Sequence, residues 1–326
     1  MRIGVIGAGA WGTALAQLAA ADGEPVLLWA REPEVVSAVN LAHENRLFLP
    51  GIPLSPSIEA TADVGRMDSC DALLVVAPAQ YLARVLARTP VGPRTLVLCA
   101  KGIEASTGRL MTEVASTLHP RAPIAVLSGP TFAAEVAAGK PTAVTLASAD
   151  AAVGRALTER LARPNFRIYA SDDVIGAEIG GAVKNVIAIA CGIVAGLKLG
   201  ENARAALIAR GFAELTRFGV ARGGRADTMA GLSGLGDLVL TCSSTQSRNF
   251  TFGEALGKGQ RADQLIGGST SVAEGAFTAP VLAREAYRLG VEMPVVEAVR
   301  AMIEDGHEAR EVVAALLARP LRGEAS

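Results

Sequence analysis

Three groups of residues in this 326-residue chain have the types and spacing to do chemistry. The first is Gly7-Ala8-Gly9-Ala10-Trp11-Gly12, which lies between a β-branched apolar run and a helix-like stretch. In that context Gly7 permits a tight turn, Gly9 lets the backbone approach a pyrophosphate at a helix N-terminus, and Gly12 lets the helix pack on the strand. The pattern predicts a dinucleotide site, with Trp11 at the loop surface. The next apolar run ends in Arg31-Glu32. An acid at that place suits the ribose hydroxyls of NAD(H), whereas an arginine can pair with the 2′-phosphate of NADP(H). Arg31 tilts the expectation towards NADP(H), and Glu32 keeps NAD(H) open.

A dinucleotide suggests hydride transfer, which needs an acid–base partner. The three histidines, His43, His119 and His307, lie in no motif built for a site. No Tyr-xxx-Lys occurs, since Tyr81, Tyr169 and Tyr287 are followed at the fourth position by Val85, Asp173 and Val291. No Cys/His cluster suits zinc, so no metal is expected. The second group therefore centres on Lys184, in an apolar, small-residue stretch, Gly180–Ala190. Helical spacing places Ala177, Gly181, Lys184, Ala188 and Cys191 on one stripe, with room for a ligand beside the ammonium. Burial lowers a lysine's pKa, as acid–base work near neutrality requires. Asn185 is placed to orient a substrate oxygen. Lys101 ends an apolar run, and Ser128-Gly129-Pro130-Thr131 follows another; both would lie at strand C-termini, where ligands of open α/β sheets gather.

The third group is Gly231-Leu-Ser-Gly-Leu-Gly-Asp237, then Ser243-Ser-Thr-Gln-Ser247-Arg248-Asn249. Arginine, amide, hydroxyl and helix N-terminal N–H groups suit a phosphate ester. Asp237 is placed to accept a substrate hydroxyl or to pair with Lys184.

These residues need elements to hold them. Length predicts two domains. Continuous apolar runs predict strands buried on both faces, hence a parallel sheet, at Arg2–Gly7, Pro25–Trp29, Ala72–Ala77, Thr95–Ala100, Ile124–Leu127, Thr142–Ala147 and Phe166–Tyr169. Helical patterns alternate with them, which gives a doubly wound α/β fold over 1–172. From 173 to 326 strand-like runs vanish and helices dominate, from Val174–Leu197 to Ala309–Leu317. The apolar start of the chain is broken by four glycines, which argues against a secretory leader. Charged residues are 19% of the chain and the net charge is −1. With no charge runs, a general nucleic-acid or membrane-surface partner is not expected. Four scattered cysteines suggest reduced thiols and a cytoplasmic protein.

The ordered segments GAGAWGTALA, CAKGIE, SGPTFAAEVAAGKPTAV, GGAVKNVIAIACGIVAG, GLSGLGDLVLTC, SSTQSRNF and VAEG resemble bacterial-type NAD(P)-dependent glycerol-3-phosphate dehydrogenases over nearly the whole chain. The resemblance implies an N-terminal Rossmann-like doubly wound sheet plus a C-terminal all-helical domain, with the site between them. It also implies interconversion of dihydroxyacetone phosphate and sn-glycerol 3-phosphate, supplying glycerophospholipid synthesis. By motif, Lys184 matches the family's catalytic lysine. Substrate would be bound by Lys101, Gly129, Thr131, Lys184, Asp237, Ser247, Arg248 and Asn249. Cofactor would meet Ala10, Trp11, Arg31, Lys101, Ala133, Arg248, Val272 and Glu274, beside Gly7, Gly9 and Gly12. Two alternatives stand beside this reading: a lysine-dependent dehydrogenase of a β-hydroxyacid or sugar acid such as 6-phosphogluconate, and a protein that binds NAD(P)H without turnover. Oligomeric state is left open, a homodimer included.

Overall fold

The computed structural model describes residues 1–268 and 273–318 of the chain. Eight strands form one sheet: β1 (Ile3–Ile6), β2 (Val26–Trp29), β3 (Ile58–Thr61), β4 (Ala72–Val75), β5 (Thr95–Leu98), β6 (Ile124–Ser128), β7 (Thr142–Ser148) and β8 (Phe166–Ser171). Their order is β3-β2-β1-β4-β5-β6-β7-β8, parallel throughout except between β6 and β7. The expected seven strands are all present. β3 is an addition, and the antiparallel β6–β7 step departs from the fully parallel sheet that the apolar runs suggested.

Helices α1 (Ala10–Ala19), α2 (Pro33–Ala42), α3 (Leu82–Leu86), α4 (Met111–Leu118), α5 (Ala133–Ala137) and α6 (Ala151–Leu161) accompany the sheet. Successive strand residues feed opposite faces. Ile3, Val5 and Leu28 enter one apolar layer, while Ile6, Leu27 and Leu73 enter the other. Both faces are covered, which is why the strands read as unbroken apolar runs. The strand order reverses between β1 and β4, and the crevice outside the strand C-termini at such a point is where open α/β sheets bind ligands.

The rest is helical: α7 (Val174–Gly196), α8 (Glu201–Ala221), α9 (Ala226–Ala230), α10 (Asp237–Cys242), α11 (Arg248–Gly257), α12 (Ala262–Gly268), α13 (Glu274–Arg288), α14 (Pro294–Arg300) and α15 (Ala309–Leu317). α7 is the axis of this part, buried without interruption from Gly176 to Val194. It is long and apolar enough to cross a membrane, yet 89% of its apolar window lies inside the protein, as in a core helix. Glycines bring α11 onto it at backbone distance: a Cβ on Gly192 would lie 2.0 Å from Phe250 O, and one on Gly253 2.0 Å from Ile189 O. The first turns of α7 reach the sheet, where Ala177 joins the apolar layer of Leu73 and Leu98. Its Glu178 accepts from Thr112 N at 3.0 Å and Thr112 Oγ1 at 2.6 Å at the start of α4. Burial pushes the Glu178 carboxyl up to about 7.

Candidate active site

The glycine loop joins β1 to α1. Gly7 has φ +111°, a conformation that favours glycine. A Cβ on Gly12 would stand 1.7 Å from Gly7 O, so helix and turn close on each other only without a side chain there. Gly9 differs, because a Cβ there would meet nothing within 4 Å. No packing of the protein requires a glycine at that place; a ligand approaching the backbone would. Gly9 caps α1 with no side-chain hydrogen bond, leaving first-turn N–H groups for an anion. Trp11 is only half-buried and packs, with Ala10 and Ala133, against the apolar layer of Ile3 and Leu28. It therefore leans into the core more than the expected surface position implies. Its Nε1 is buried without a partner. Arg31 is exposed beyond the end of β2 and pairs with Glu32 at 2.6 Å.

The lysine site lies across the same edge of the sheet. Lys101 follows β5, Gly129 follows β6, Lys184 is in the middle of α7, and Asp237 opens α10. Asp237 is fully buried and Lys184 is 6% exposed. Lys184 Nζ donates to Asp237 Oδ1 at 2.5 Å and to Thr241 Oγ1 at 2.8 Å. Lys101 Nζ donates to the other oxygen, Oδ2, at 2.7 Å and to Gly129 O at 3.2 Å. One carboxylate is thus bracketed by two ammonium groups. Burial pulls Lys184 down to about 8, opposed by the charge of Asp237 and assisted by that of Lys101. Each ammonium has three protons and spends two here, so each keeps one for a ligand.

Glycine serves packing more than ligand binding in the third group. Leu232–Gly236 is a π-helical turn, not an open loop. A Cβ on Gly234 would lie 1.9 Å from Met229 O, and one on Gly180 of α7 2.4 Å from Ser233 O. The turn is pressed onto α7, and this aims Asp237 at Lys184. The stripe beside Lys184 is likewise filled by protein, since a Cβ on Gly181 would meet Lys101 Cγ and Ser128 Oγ at 3.1 Å. Ser128 Oγ is buried without a partner.

At the start of α11, Ser247 Oγ accepts from Phe250 N at 3.2 Å and so caps the helix. Arg248 is exposed, and among the described residues its guanidinium has no hydrogen bond or ion pair. Asn249 is committed inside the protein: it donates to Asn185 Oδ1 at 3.0 Å and accepts from Gly275 N at 2.9 Å. Asn185 in turn donates to Lys101 O at 3.3 Å, so its amide ties α7 to β5 as well as facing the site. Glu274 opens α13 and accepts from Ala79 N at 3.4 Å, beyond β4. Burial raises its pKa, opposed first by Arg248. Thr131 is half-buried near Gly129 O, at 3.4 Å. Val272 lies outside the described residues. Thr241 was not singled out from the sequence, although its spacing of four from Asp237 on a short helix is a readable signal.

A family model described as the N-terminus of NAD-dependent glycerol-3-phosphate dehydrogenase matches residues 2–154, and its C-terminal counterpart matches residues 173–314. A protein of Erythrobacter litoralis named glycerol-3-phosphate dehydrogenase [NAD(P)+] is 61% identical over 323 residues, covering 99% of this chain and 98% of the relative. One of the same name from Caulobacter vibrioides is 56% identical over 329 residues, covering 99% of each. The crystal structure of glycerol-3-phosphate dehydrogenase from Coxiella burnetii superposes with a TM-score of 0.92 at 38% identity, covering 98% of this chain and 99% of that one.

Proposed function

The chain belongs to the NAD-dependent glycerol-3-phosphate dehydrogenase family, and on that premise we propose that it interconverts dihydroxyacetone phosphate and sn-glycerol 3-phosphate, with Lys184 as the proton donor and acceptor. The observation that carries this reading is the buried bracket of Lys184 and Lys101 around Asp237, at the same carboxyl edge of the sheet as the glycine loop. The open space at Gly9 and the free first turn of α1 fit a pyrophosphate. Arg31 and Glu32 would meet the adenosine ribose, and Ala133, Lys101, Arg248 and Glu274 border the rest of the cofactor. When bound, the reduced nicotinamide supplies a hydride to the substrate's carbonyl carbon.

The chain's own residues do the remainder. Lys184, as ammonium, directs its third proton at the carbonyl oxygen and gives it to the forming alkoxide; in reverse it receives that proton. Asp237 and Thr241 fix the Nζ position, and Lys101 adds positive potential at the same oxygen. Arg248 is an exposed cation with no ion pair or hydrogen bond of its own among the described residues, near enough to Glu274 to act on its charge and suited to the phosphate, with Ser247, Gly129 and Thr131 along the ester and Asn249 holding Asn185 beside them. Closing substrate between the sheet edge and the helices converts an encounter into a positioned reaction. We take the division between the two domains at 172/173, between the end of β8 and the cap of α7. Four unpaired, buried cysteines favour a reducing, cytoplasmic setting, where the product would feed glycerophospholipid synthesis.

Following nicotinamide absorbance with dihydroxyacetone phosphate and either NADPH or NADH tests this. Substrate-dependent oxidation is expected. Folded protein that binds NADPH yet oxidises it only with sugar acids or not at all would overturn the reading.

A further inference from the structure

Behind the glycine loop lies Asn45, 1% exposed, in the connection between α2 and β3 and outside every group discussed above. Its side-chain oxygen accepts from Phe48 N at 3.1 Å, which fixes which end of the amide is which. Its Nδ2 therefore faces the loop, donating to Ala8 O at 2.9 Å and to Thr13 Oγ1 at 2.8 Å. Thr13 Oγ1 passes its own proton to the same Ala8 carbonyl, at 3.2 Å. Two donors thus hold one carbonyl of the loop inward. The backbone of Asn45 is fixed as well, by Leu49 N donating to its carbonyl at 2.8 Å.

The next atoms along the chain give this its meaning. In a trans peptide the N–H points opposite to the C=O, and no cis peptide occurs among the described residues. With Ala8 C=O tied inward, Gly9 N–H faces out, at the residue with nothing around it. Among the described residues that N–H has no acceptor. An outward N–H at a helix N-terminus is a phosphate donor.

We propose that Asn45 is a positioning residue for the dinucleotide: through Ala8 O it sets the Ala8–Gly9 peptide so that Gly9 N–H is presented to the pyrophosphate. The proposal rests on the reading of the glycine loop as a cofactor site. Without Asn45 the carbonyl loses its stronger anchor, the peptide is free to rotate, and the anion meets a carbonyl oxygen for part of the time. Chemistry at Lys184, on the far side of the crevice, is untouched once cofactor is bound.

The test is calorimetric titration of NADPH and NADH into wild type, Asn45→Ala and Thr13→Val, together with steady-state rates and thermal unfolding of the free proteins. Asn45→Ala should raise both dissociation constants about tenfold or more, the loss of one charge-assisted contact. Its kcat at saturating cofactor and its KM for dihydroxyacetone phosphate should stay within about twofold. Thr13→Val, which removes the weaker donor to Ala8 O and the acceptor of Asn45's second amide proton while leaving the stronger anchor in place, should shift the same constants in the same direction by less, and it keeps the test alive if Asn45→Ala fails to fold. Wild-type affinity in both variants would overturn the proposal while leaving the functional reading intact. A parallel fall of affinity, kcat and unfolding temperature would overturn it too, since that marks a purely structural role. Wild type binding neither cofactor would sink the functional reading, and the proposal with it.

Discussion

The glycine loop and the lysine bracket face the same crevice and are built in opposite ways. The loop is six contiguous residues whose working parts are backbone groups, shaped by one positive φ and one forbidden Cβ. Its geometry exists once β1 and α1 pack together. The bracket is four side chains from three places in the chain, the end of β5, α7 and α10, with Lys101 and Asp237 136 positions apart. It exists only when the helices have docked on the sheet, and it holds charge in a buried place. Loop variants should therefore fail in binding, and bracket variants in chemistry.

Lys184→Met should give the largest effect and break the two regions apart most cleanly. The thioether keeps the length of the side chain, and Asp237 retains Lys101, so no carboxylate is stranded. Turnover should fall about 10³-fold or more, within the range for loss of a positioned acid–base group and an electrostatic donor. The dissociation constant for NADPH should change by less than about threefold. A comparable loss of NADPH affinity would show that loop and bracket are one unit.

Gly12→Ala tests the other side. The added methyl would sit 1.7 Å from Gly7 O, so turn and helix must part. Stability should drop by about 1–3 kcal/mol, as for overpacking, with NADPH bound at least about tenfold more weakly. At saturating cofactor kcat should recover most of its wild-type value. A kcat that stays low would mean that the loop also shapes the reacting geometry.

The two regions were unequally legible in the sequence for the same reason that they fail differently. The loop is local, so spacing alone identifies Gly7, Gly9 and Gly12. In the bracket, Lys184 stands out because a charge in an apolar helix is anomalous, and its pairing with Asp237 is one of the two roles the sequence leaves open; the π-helical turn that decides it has no short pattern to announce it. Thr241 and Asn45 escaped because a hydroxyl in a helix and an amide in a connection are ordinary until their partners are known. β3 is four residues with Glu59 inside, and its place beside β2 is a tertiary choice. The reversed direction of β7 follows from a short helical connection, α5, with no residue-level mark.

Titration sharpens the comparison by affecting one region only. Lys184 is held near 8, below its ordinary 10.5. If Lys184 is the proton donor, as proposed, reduction needs its ammonium, so its kcat should fall about tenfold per pH unit well above 8, while oxidation of glycerol 3-phosphate should rise towards a plateau there. Stability carries the same signature. Between about 8 and 10.5 the unfolded lysine keeps a proton that the folded one has released, so stability should rise with pH by up to about 3 kcal/mol. Glu178 and Glu214, both pushed up to about 7 by burial, act in the opposite sense and in a lower window. Between 4.5 and 7 the folded state keeps protons that the unfolded state has lost, and stability falls as pH rises. Denaturant titrations of wild type and Lys184→Met separate these, since only the upper slope should vanish in the variant.

The smallest effect belongs to Arg31, at the rim of the loop region. Its side chain is 78% exposed and already paired with Glu32, so a 2′-phosphate gains only part of a full charge there. On the proposed reading the pair would answer both cofactors: with NADPH the arginine would turn to the phosphate, and with NADH Glu32 would be released towards the ribose hydroxyls. Arg31→Ala should therefore lower kcat/KM for NADPH about three- to tenfold and leave the value for NADH within about twofold, in steady-state assays with both cofactors. An equal fall for both would place Arg31 on the adenine face instead of the phosphate. No change for either would mean that the loop's backbone sets cofactor affinity without help from this side chain, which would widen the contrast with the bracket, where both ion pairs join side chains.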